Sequence, residues 1–459
     1  MLTNLIWAVS LLISSKNSTD KAFMWMPKRP ETLQEAEIES FFIEDCILKM
    51  LHAQGATRGS VLVQMLKLPA GLVEPIISVL REKDFVAPVG GGGIGGGMGL
   101  TIGLTVKGAE YTAGIMERSP YYGPAPVSTK IYTESVKAQK FTSRLVKKKH
   151  LDASFSDIRI GQEYLNQLGP AINSGGPIFL YGKPGNGKTT MSERIARLFR
   201  QGMFIPYAIE SNGEIIQVFD EKVHVPVPLE ALPDNHPLKA NPGAVDPRWV
   251  YALRPFVVVG GELTLEMLDL SYSEGQLSYE SPFQLKANGG VLLIDDFGRQ
   301  KVKPTEILNR WIYPLEKQMD FLSLHSGKKV SVPFEIFLIF STNLDPNDLG
   351  DEAFWRRIRY KIETPNPTEA DFKFIFQVVC KKNAIEFEEQ AYKYLVDKYY
   401  RAASREFRSV HPRDIMNIIC DHVHFFGIPP KLSNQLIDLA CASFFGMEET
   451  KLAAEKKSA

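Results

Sequence analysis

The chain has 459 residues, more than one ordinary domain needs, and its 44% apolar and 23% charged residues are the balance of a globular protein. Lys plus Arg equals Asp plus Glu at 53 each, which excludes a global field that draws the whole molecule to nucleic acid or to an acidic membrane. The four cysteines, Cys46, Cys380, Cys420 and Cys441, form no CxxC pair; this excludes a zinc framework or a disulfide scaffold and fits a reducing cytoplasm.

Residues 1–30 stand apart. The apolar run from Leu5 to Ile13 is nine residues, against the roughly 20 of a spanning helix. It also lacks the basic flank and small-residue cleavage site of a signal peptide, while Met24 opens a polar lead-in of its own. No stable membrane insertion and a cytoplasmic location are therefore expected.

Residues 31–118 begin with FFIEDCILKMLHAQG, where Phe42, Cys46, Ile47 and Met50 share one helical face. SVLVQMLKL and LVEPIISVLREKDFV read as two further helices. The run APVGGGGIGGGMG reads as a flexible loop, and LTIGLTVKGAEYTAGIMER as a strand leading to a last helix. Residues 119–150 read as a linker, Pro- and Tyr-rich at first and basic at RLVKKKH, the basic run being a solvated helix face or tether, with a binding patch as the alternative.

From 151 to 363 short apolar runs alternate with helical stretches, the signature of a parallel sheet with crossover helices. The strands expected are 177–182, 254–260, 290–296 and 334–343. A hairpin turning at Asn212-Gly213 lies between the first two. Residues 364–459 read as helical throughout, ending in a polar tail.

The chemistry starts at Gly182-Lys183-Pro184-Gly185-Asn186-Gly187-Lys188-Thr189, followed by Thr190, which matches GxxxxGK[ST] between a buried strand and an amphipathic helix. Glycines there let backbone N–H groups close around a polyphosphate, and the helix start adds its positive dipole end. Lys188 is expected on the β- and γ-phosphates of ATP, and the Thr189 hydroxyl on Mg²⁺. Gly290 to Asp296 (GVLLIDD) is an apolar strand ending in two carboxylates, as a strand buried on both faces does only at a site. Asp295 is the expected Mg²⁺ partner, and Asp296 is placed to orient or deprotonate water.

Together these motifs resemble the AAA+ ATPases over residues 150–445. The resemblance implies an α/β P-loop sheet (151–363) with a C-terminal helical lid (364–459). Asn343, ending FEIFLIFSTN, stands where the family's sensor-1 residue does. DEAFWRRIRYKI resembles the arginine-finger helix, with Arg357 the first choice and Arg356 the alternative. Arg413 in HPRD resembles the sensor-2 arginine of the lid. FSDIRIG (155–161) resembles the strand beside the adenine, with Ile158 and Ile160 as apolar contacts to the base. Most AAA+ motors carry Glu where this chain has Asp296, which puts the rate of turnover in question. A finger must reach a neighbour's nucleotide, so the resemblance implies a homo-oligomeric ring, most often a hexamer.

QLKANGGVLLIDD is similar to the approach seen in AAA+ clades with a helix-2 insertion, including magnesium chelatases, MoxR-like chaperones and enhancer-binding activators. The activators' GAFTGA loop is absent. Tyr272 and Tyr279, in the long segment before the acidic strand, are either pore aromatics or packing for an inserted hairpin.

The N-terminal pattern resembles a winged-helix domain, which raises DNA binding. Its charge argues otherwise. Lys28 to Arg118 holds nine Lys or Arg against eleven Asp or Glu, and AGLVEPIISVLREK offers two acids and mostly apolar residues, not phosphate-neutralising cations. The expectation is a remodelling ATPase acting on a protein client. An ATP-dependent DNA-associated factor and a slow nucleotide-gated switch are the alternatives.

Overall fold

A computed structural model describes residues 25–89, 97–117, 119, 121–141, 146–199, 201–273, 278–324, 326–349 and 355–458. The apolar run 5–13, the glycine run 90–96 and residues 351–354 ahead of the arginine pair lie outside them. Two compact units result. One takes residues up to 142 with 199–294 and 299–339, and the other takes 143–198, 295–298 and 340 onward.

In the first unit, α1 (Ser40–Gln54) buries Ile43, Cys46, Ile47 and Met50, while Phe42 is half-buried. After β1 (Thr57–Arg58) come α2 (Gly59–Leu66) and α3 (Ala70–Glu82), whose Leu72, Val73, Ile76, Ile77 and Leu80 form the inward stripe of an amphipathic helix. β2 (Val86–Pro88) and β3 (Thr101–Leu104) complete an antiparallel sheet in the order β1-β3-β2. The Thr105 hydroxyl then accepts from the Gly108 N–H at 3.0 Å and starts α4 (Val106–Met116).

The stretch read as a linker is largely folded. It supplies β4 (Val127–Ser128), α5 (Thr129–Ala138) and, in the second unit, α6 (Lys148–Ser154). The segment 155–161 forms turns and bends, without strand pairing, where a strand was expected. α7 (Gln162–Asn173) leads into β5 (Ile178–Tyr181), and α8 (Lys188–Ala196) follows the glycine loop.

Next come β6 (Gly202–Pro206), β7 (Ala208–Ser211) and β8 (Glu214–Gln217). β7 and β8 turn at Asn212 and Gly213, both with positive φ (55° and 86°), as a two-residue hairpin turn requires. β9 (Trp249–Leu253) pairs with β6, β10 (Phe256–Val259) follows, and β11 (Ser271–Ser273) and β12 (Ser278–Glu280) extend a second sheet, β11-β12-β8-β7-β4. Tyr279 is buried in this layer with its ring 5.3 Å from that of Tyr272, which is 39% exposed. Tyr279 therefore packs the insertion.

β13 (Val291–Ile294) is buried at every position. α9 (Pro304–Lys317) and the hairpin β14 (Met319–Ser323) and β15 (Lys329–Pro333) separate it from β16 (Phe337–Thr342), also buried throughout. β17 (Tyr360–Glu363) closes a five-stranded sheet in the order β10-β13-β16-β5-β17. β10 runs parallel to β13, and β17 to β5. The glycine loop thus leaves an interior strand.

The remainder is helical: α10 (Glu369–Lys382), α11 (Glu389–Leu395) continuing as a π-helical turn over Val396–Arg401, α12 (His411–Phe426) and α13 (Asn434–Ser458). Phe372, Phe376, Leu395, Tyr400, Ile415 and Ile437 are among its core. The fold is an α/β P-loop sheet with a C-terminal helical lid. No helix among the described residues is long and apolar enough to cross a membrane.

Candidate nucleotide site

The site residues described below all belong to the second unit. The loop from Gly182 to Thr189 needs backbone that only glycine adopts without strain: Gly182 has φ 137° and Gly185 φ 80°. A Cβ on Gly182 would stand 2.7 Å from the Thr364 carbonyl oxygen, and one on Gly185 would stand 2.4 Å from Val410 Cγ1. The loop is thus closed between β17's end and the lid.

Lys188 is 6% exposed. Its ammonium donates to the Gly182 carbonyl (2.8 Å), the Lys183 carbonyl (3.0 Å) and Asn343 Oδ1 (2.5 Å). Burial pushes its pKa down; Asp295 and Asp296 oppose that shift, and Arg408 adds to it. The Thr189 hydroxyl donates to Asp295 Oδ2 at 2.7 Å. Asn343 uses both ends of its amide, accepting from Lys188 and donating from Nδ2 to Asp296 Oδ1 at 2.8 Å. One neutral side chain therefore bridges the loop cation and the second acid.

Two clamps hold the acids beside that bridge. Phe297 N–H donates to the Ser341 carbonyl at 2.7 Å, and the Thr342 hydroxyl donates to the Phe297 carbonyl at 2.6 Å. The Phe297 ring is fully buried, 5.0 Å from Phe340 and 6.1 Å from Phe179. Asp296 sits in the left-handed region at φ 49°, and Asp295 Oδ1 accepts its N–H at 3.1 Å. A non-glycine residue held there costs about 1 kcal/mol or more, so the surrounding clamps over-determine its position.

The lid meets the loop through a strap that motif reading missed. Glu406 accepts from Lys183 Nζ at 2.7 and 2.5 Å. Arg408 donates to the Pro184 carbonyl at 3.3 Å, and Val410 N–H to the Gly185 carbonyl at 2.9 Å. Asn186 Nδ2 donates to Asn366 Oδ1 at 2.7 Å. The hydrogen bond from Lys183 holds the Glu406 carboxyl below the usual range. Arg413, the lid arginine the sequence pointed to, is largely exposed and pairs with Asp414 at 3.0 Å; Arg408 is the lid arginine found on the loop.

Ile158 and Ile160 are half-buried in the bend after α6. That bend is tied to α8 by Asp157, which accepts from Arg194 and Arg197 at 2.9 Å each, and to α10 by Arg159 with Asp371 at 2.9 Å. Thr190 is half-buried in the first turn of α8. Arg356 is exposed and Arg357 half-buried, on the segment anchored by Trp355, whose ring stands 4.8 Å from Phe179. Neither arginine bonds to a residue of the glycine loop in any described contact.

The donor set fits Mg²⁺ with a polyphosphate. Thr189 and Asp295 offer adjacent hard oxygens, and among the described residues no cluster of three or more His, Cys, Asp or Glu could cage a metal unaided. Mg²⁺ is held in this manner where phosphates and water complete its shell.

Residues 368–443 match a family described as a domain of unknown function (DUF8689). No curated protein matches the chain in sequence. Among solved structures, NtrX from Brucella abortus is similar at 14% identity over 72% of this chain and 60% of that chain, with a TM-score of 0.39. The Thermotoga maritima RuvB Holliday junction branch migration motor is similar at 14% identity over 62% of this chain and 70% of that chain, with a TM-score of 0.35. The chain thus spans less than two thirds of the NtrX structure.

Proposed function

We propose that this chain binds ATP with Mg²⁺ and hydrolyses it as an AAA+ ATPase that remodels a protein client. The observation that carries the reading is the Asn343 amide bridging Lys188 and Asp296, beside the Thr189–Asp295 pair. A polyphosphate on the loop takes its negative charge to a buried ammonium whose own loop partners are neutral carbonyls, so binding offsets the cost of Lys188's burial. Bound Mg²⁺ supplies further charge neutralisation at the phosphates. Thr189 and Asp295 would hold it, and Ile158 and Ile160 would give apolar contacts to the base. Asp296, steered by Asn343, orients a water toward the γ-phosphorus and accepts its proton as the bond to the β-phosphate oxygen breaks. Aspartate is one methylene shorter than the usual glutamate, and its left-handed backbone sets where that carboxylate reaches.

Arg408 serves as the lid's contact to the phosphates, in place of Arg413. Arg357, with Arg356 as the alternative, reaches the nucleotide of a neighbouring copy, which makes the working form a ring, a hexamer by family resemblance. The N-terminal domain is read as a winged helix that docks protein. The outer face of α3 supports this: Glu74, Val79 and Glu82 are exposed on it beside Arg81, the helix's one Lys or Arg, a poor surface for a phosphate backbone.

Steady-state ATP hydrolysis against protein concentration tests the reading in the wild type, Lys188→Ala and Arg357→Ala. Specific activity is expected to rise with concentration and to vanish in both variants. Flat, negligible turnover by a wild type that binds ATP would sink the motor reading and leave a switch. Stimulation by an unfolded protein supports the client assignment, whereas salt-sensitive retention on duplex DNA would replace it.

A further inference from the structure

The second unit carries a groove that the nucleotide site does not use. Tyr360 pairs with Ile178 at the start of β5, whereas Glu363 pairs with Tyr181, the residue before the glycine loop. Arg359 and Tyr360 therefore mark the end of this strand pair remote from that loop. At that end lies a cavity of about 550 Å³ between the start of α6, one side of α7 and the approach to β17. Its size falls within the roughly 300–1,000 Å³ of small-molecule sites.

The lining is electrically one-sided. Lys147, Lys148 and Arg359 all contribute, and among the described residues no Asp or Glu does. Other cations of the unit are paired, as Arg159 is with Asp371 and Arg194 and Arg197 are with Asp157. Lys147, Lys148 and Arg359 take part in no ion pair among the described residues. The chain as a whole is neutral, so three uncompensated cations around one concavity are a local concentration of charge. A cleft lined by one sign focuses the field on whatever enters it. The amides of Gln162 and Asn166 add neutral donors, and buried Leu165 gives an apolar wall. Arg359 can grip two oxygens of one anionic group at once, and the lysines act as point charges on others.

We propose that this groove is a binding site for a small organic polyanion, a phosphorylated or polycarboxylate compound, separate from the nucleotide site. The anionic oxygens meet Lys147, Lys148 and Arg359, and the carbon body lies against the Leu165 wall. Phosphate esters and polycarboxylates share this chemistry.

The test uses the full chain carrying Lys188→Ala, which impairs the glycine loop as a competing phosphate site. Pyrophosphate and, separately, citrate are titrated by calorimetry without Mg²⁺ at low and high salt. At least one probe should bind, more weakly as salt rises. Adding Lys148→Glu with Arg359→Glu should cut its affinity about tenfold or more at unchanged melting temperature. The milder pair Lys148→Gln with Arg359→Gln gives the same readout should the charge reversals unfold the chain. Stronger pyrophosphate binding assigns the phosphate class, and stronger citrate binding the carboxylate class. Binding of neither probe, or binding that survives both substitution pairs at full strength, overturns the proposal. Neither result bears on ATP hydrolysis by the wild type.

Discussion

Asn343→Ala isolates the bridge at the centre of the site. The substitution removes two charge-assisted hydrogen bonds, one of 2.5 Å from Lys188 and one of 2.8 Å to Asp296. Such bonds contribute about 1.5–3 kcal/mol each. Lys188 keeps its two loop carbonyl partners, so the ground-state grip on the phosphates is largely retained. Asp296 loses the donor that aims it, and that loss is felt where a water must be held in line. Taking one bond of about 2–3 kcal/mol as specific to the transition state, kcat should fall about 30- to 150-fold, and nucleotide Kd should change by about threefold or less. Asn343→Asp keeps the shape but sets a second carboxylate against Asp296, and it should do no better than alanine. The assay pairs steady-state hydrolysis with equilibrium binding of a fluorescent ATP analogue. A raised Kd with unchanged kcat would refute the reasoning, because Asn343 would then act on binding and not on the water.

Three further outcomes follow from the same geometry. Glu406→Gln removes the acid that the lid holds against Lys183; since that pair is about half exposed, the gain in nucleotide affinity should be only about three- to tenfold and should shrink with salt, as equilibrium binding at two ionic strengths will read. Phe297→Ala empties a fully buried ring site and should cost about 3–5 kcal/mol of stability, seen as a lower denaturation midpoint, with hydrolysis falling further than binding as the clamps on the acids loosen. His224 is buried as the neutral tautomer: Nδ1 accepts from the Asp220 N–H at 2.9 Å and Nε2 donates to the Lys286 carbonyl at 2.8 Å. Burial lowers its pKa; the Lys286 carbonyl and Asp220 oppose that shift, and the Lys286 ammonium adds to it. The folded state then binds fewer protons than the unfolded one, so this stabilisation is complete above about pH 6.5 and is lost as pH falls below it. Denaturant midpoints between pH 5 and 7 should show that slope, reduced in His224→Gln but not abolished, because His236 is shifted in the same direction.

Signals confined to a few neighbouring residues were legible in the chain. The runs at β5, β10, β13 and β16 are apolar and bounded by turn residues, so their burial and length could be read locally. The helical faces of α1 and α3 were equally plain from spacing. The glycine loop declared itself because positive-φ backbone and close approach demand glycine whatever surrounds them.

Less local features were missed or misplaced. β17 reads as Tyr-Lys-Ile-Glu, a pattern no different from a helix end; only pairing with β5 makes it a strand. The segment 155–161 has strand-like composition but no ladder partner. Arg408 and Arg413 lie five residues apart, and HPRD drew attention to Arg413 alone; the strap's path, not its sequence, puts the Arg408 guanidinium on the Pro184 carbonyl, while Arg413 is largely exposed and pairs with Asp414. The same holds for the groove in which Arg359 meets Lys147 and Lys148, more than two hundred residues earlier in the chain, because packing brings them together. What the sequence alone determined is the set of groups available: a glycine loop, two acids and an amide, each set by local backbone and burial requirements. What only the tertiary structure decided is which charged groups meet across long separations, because that depends on how sheet and lid close, and a short chain segment carries no record of its distant partner.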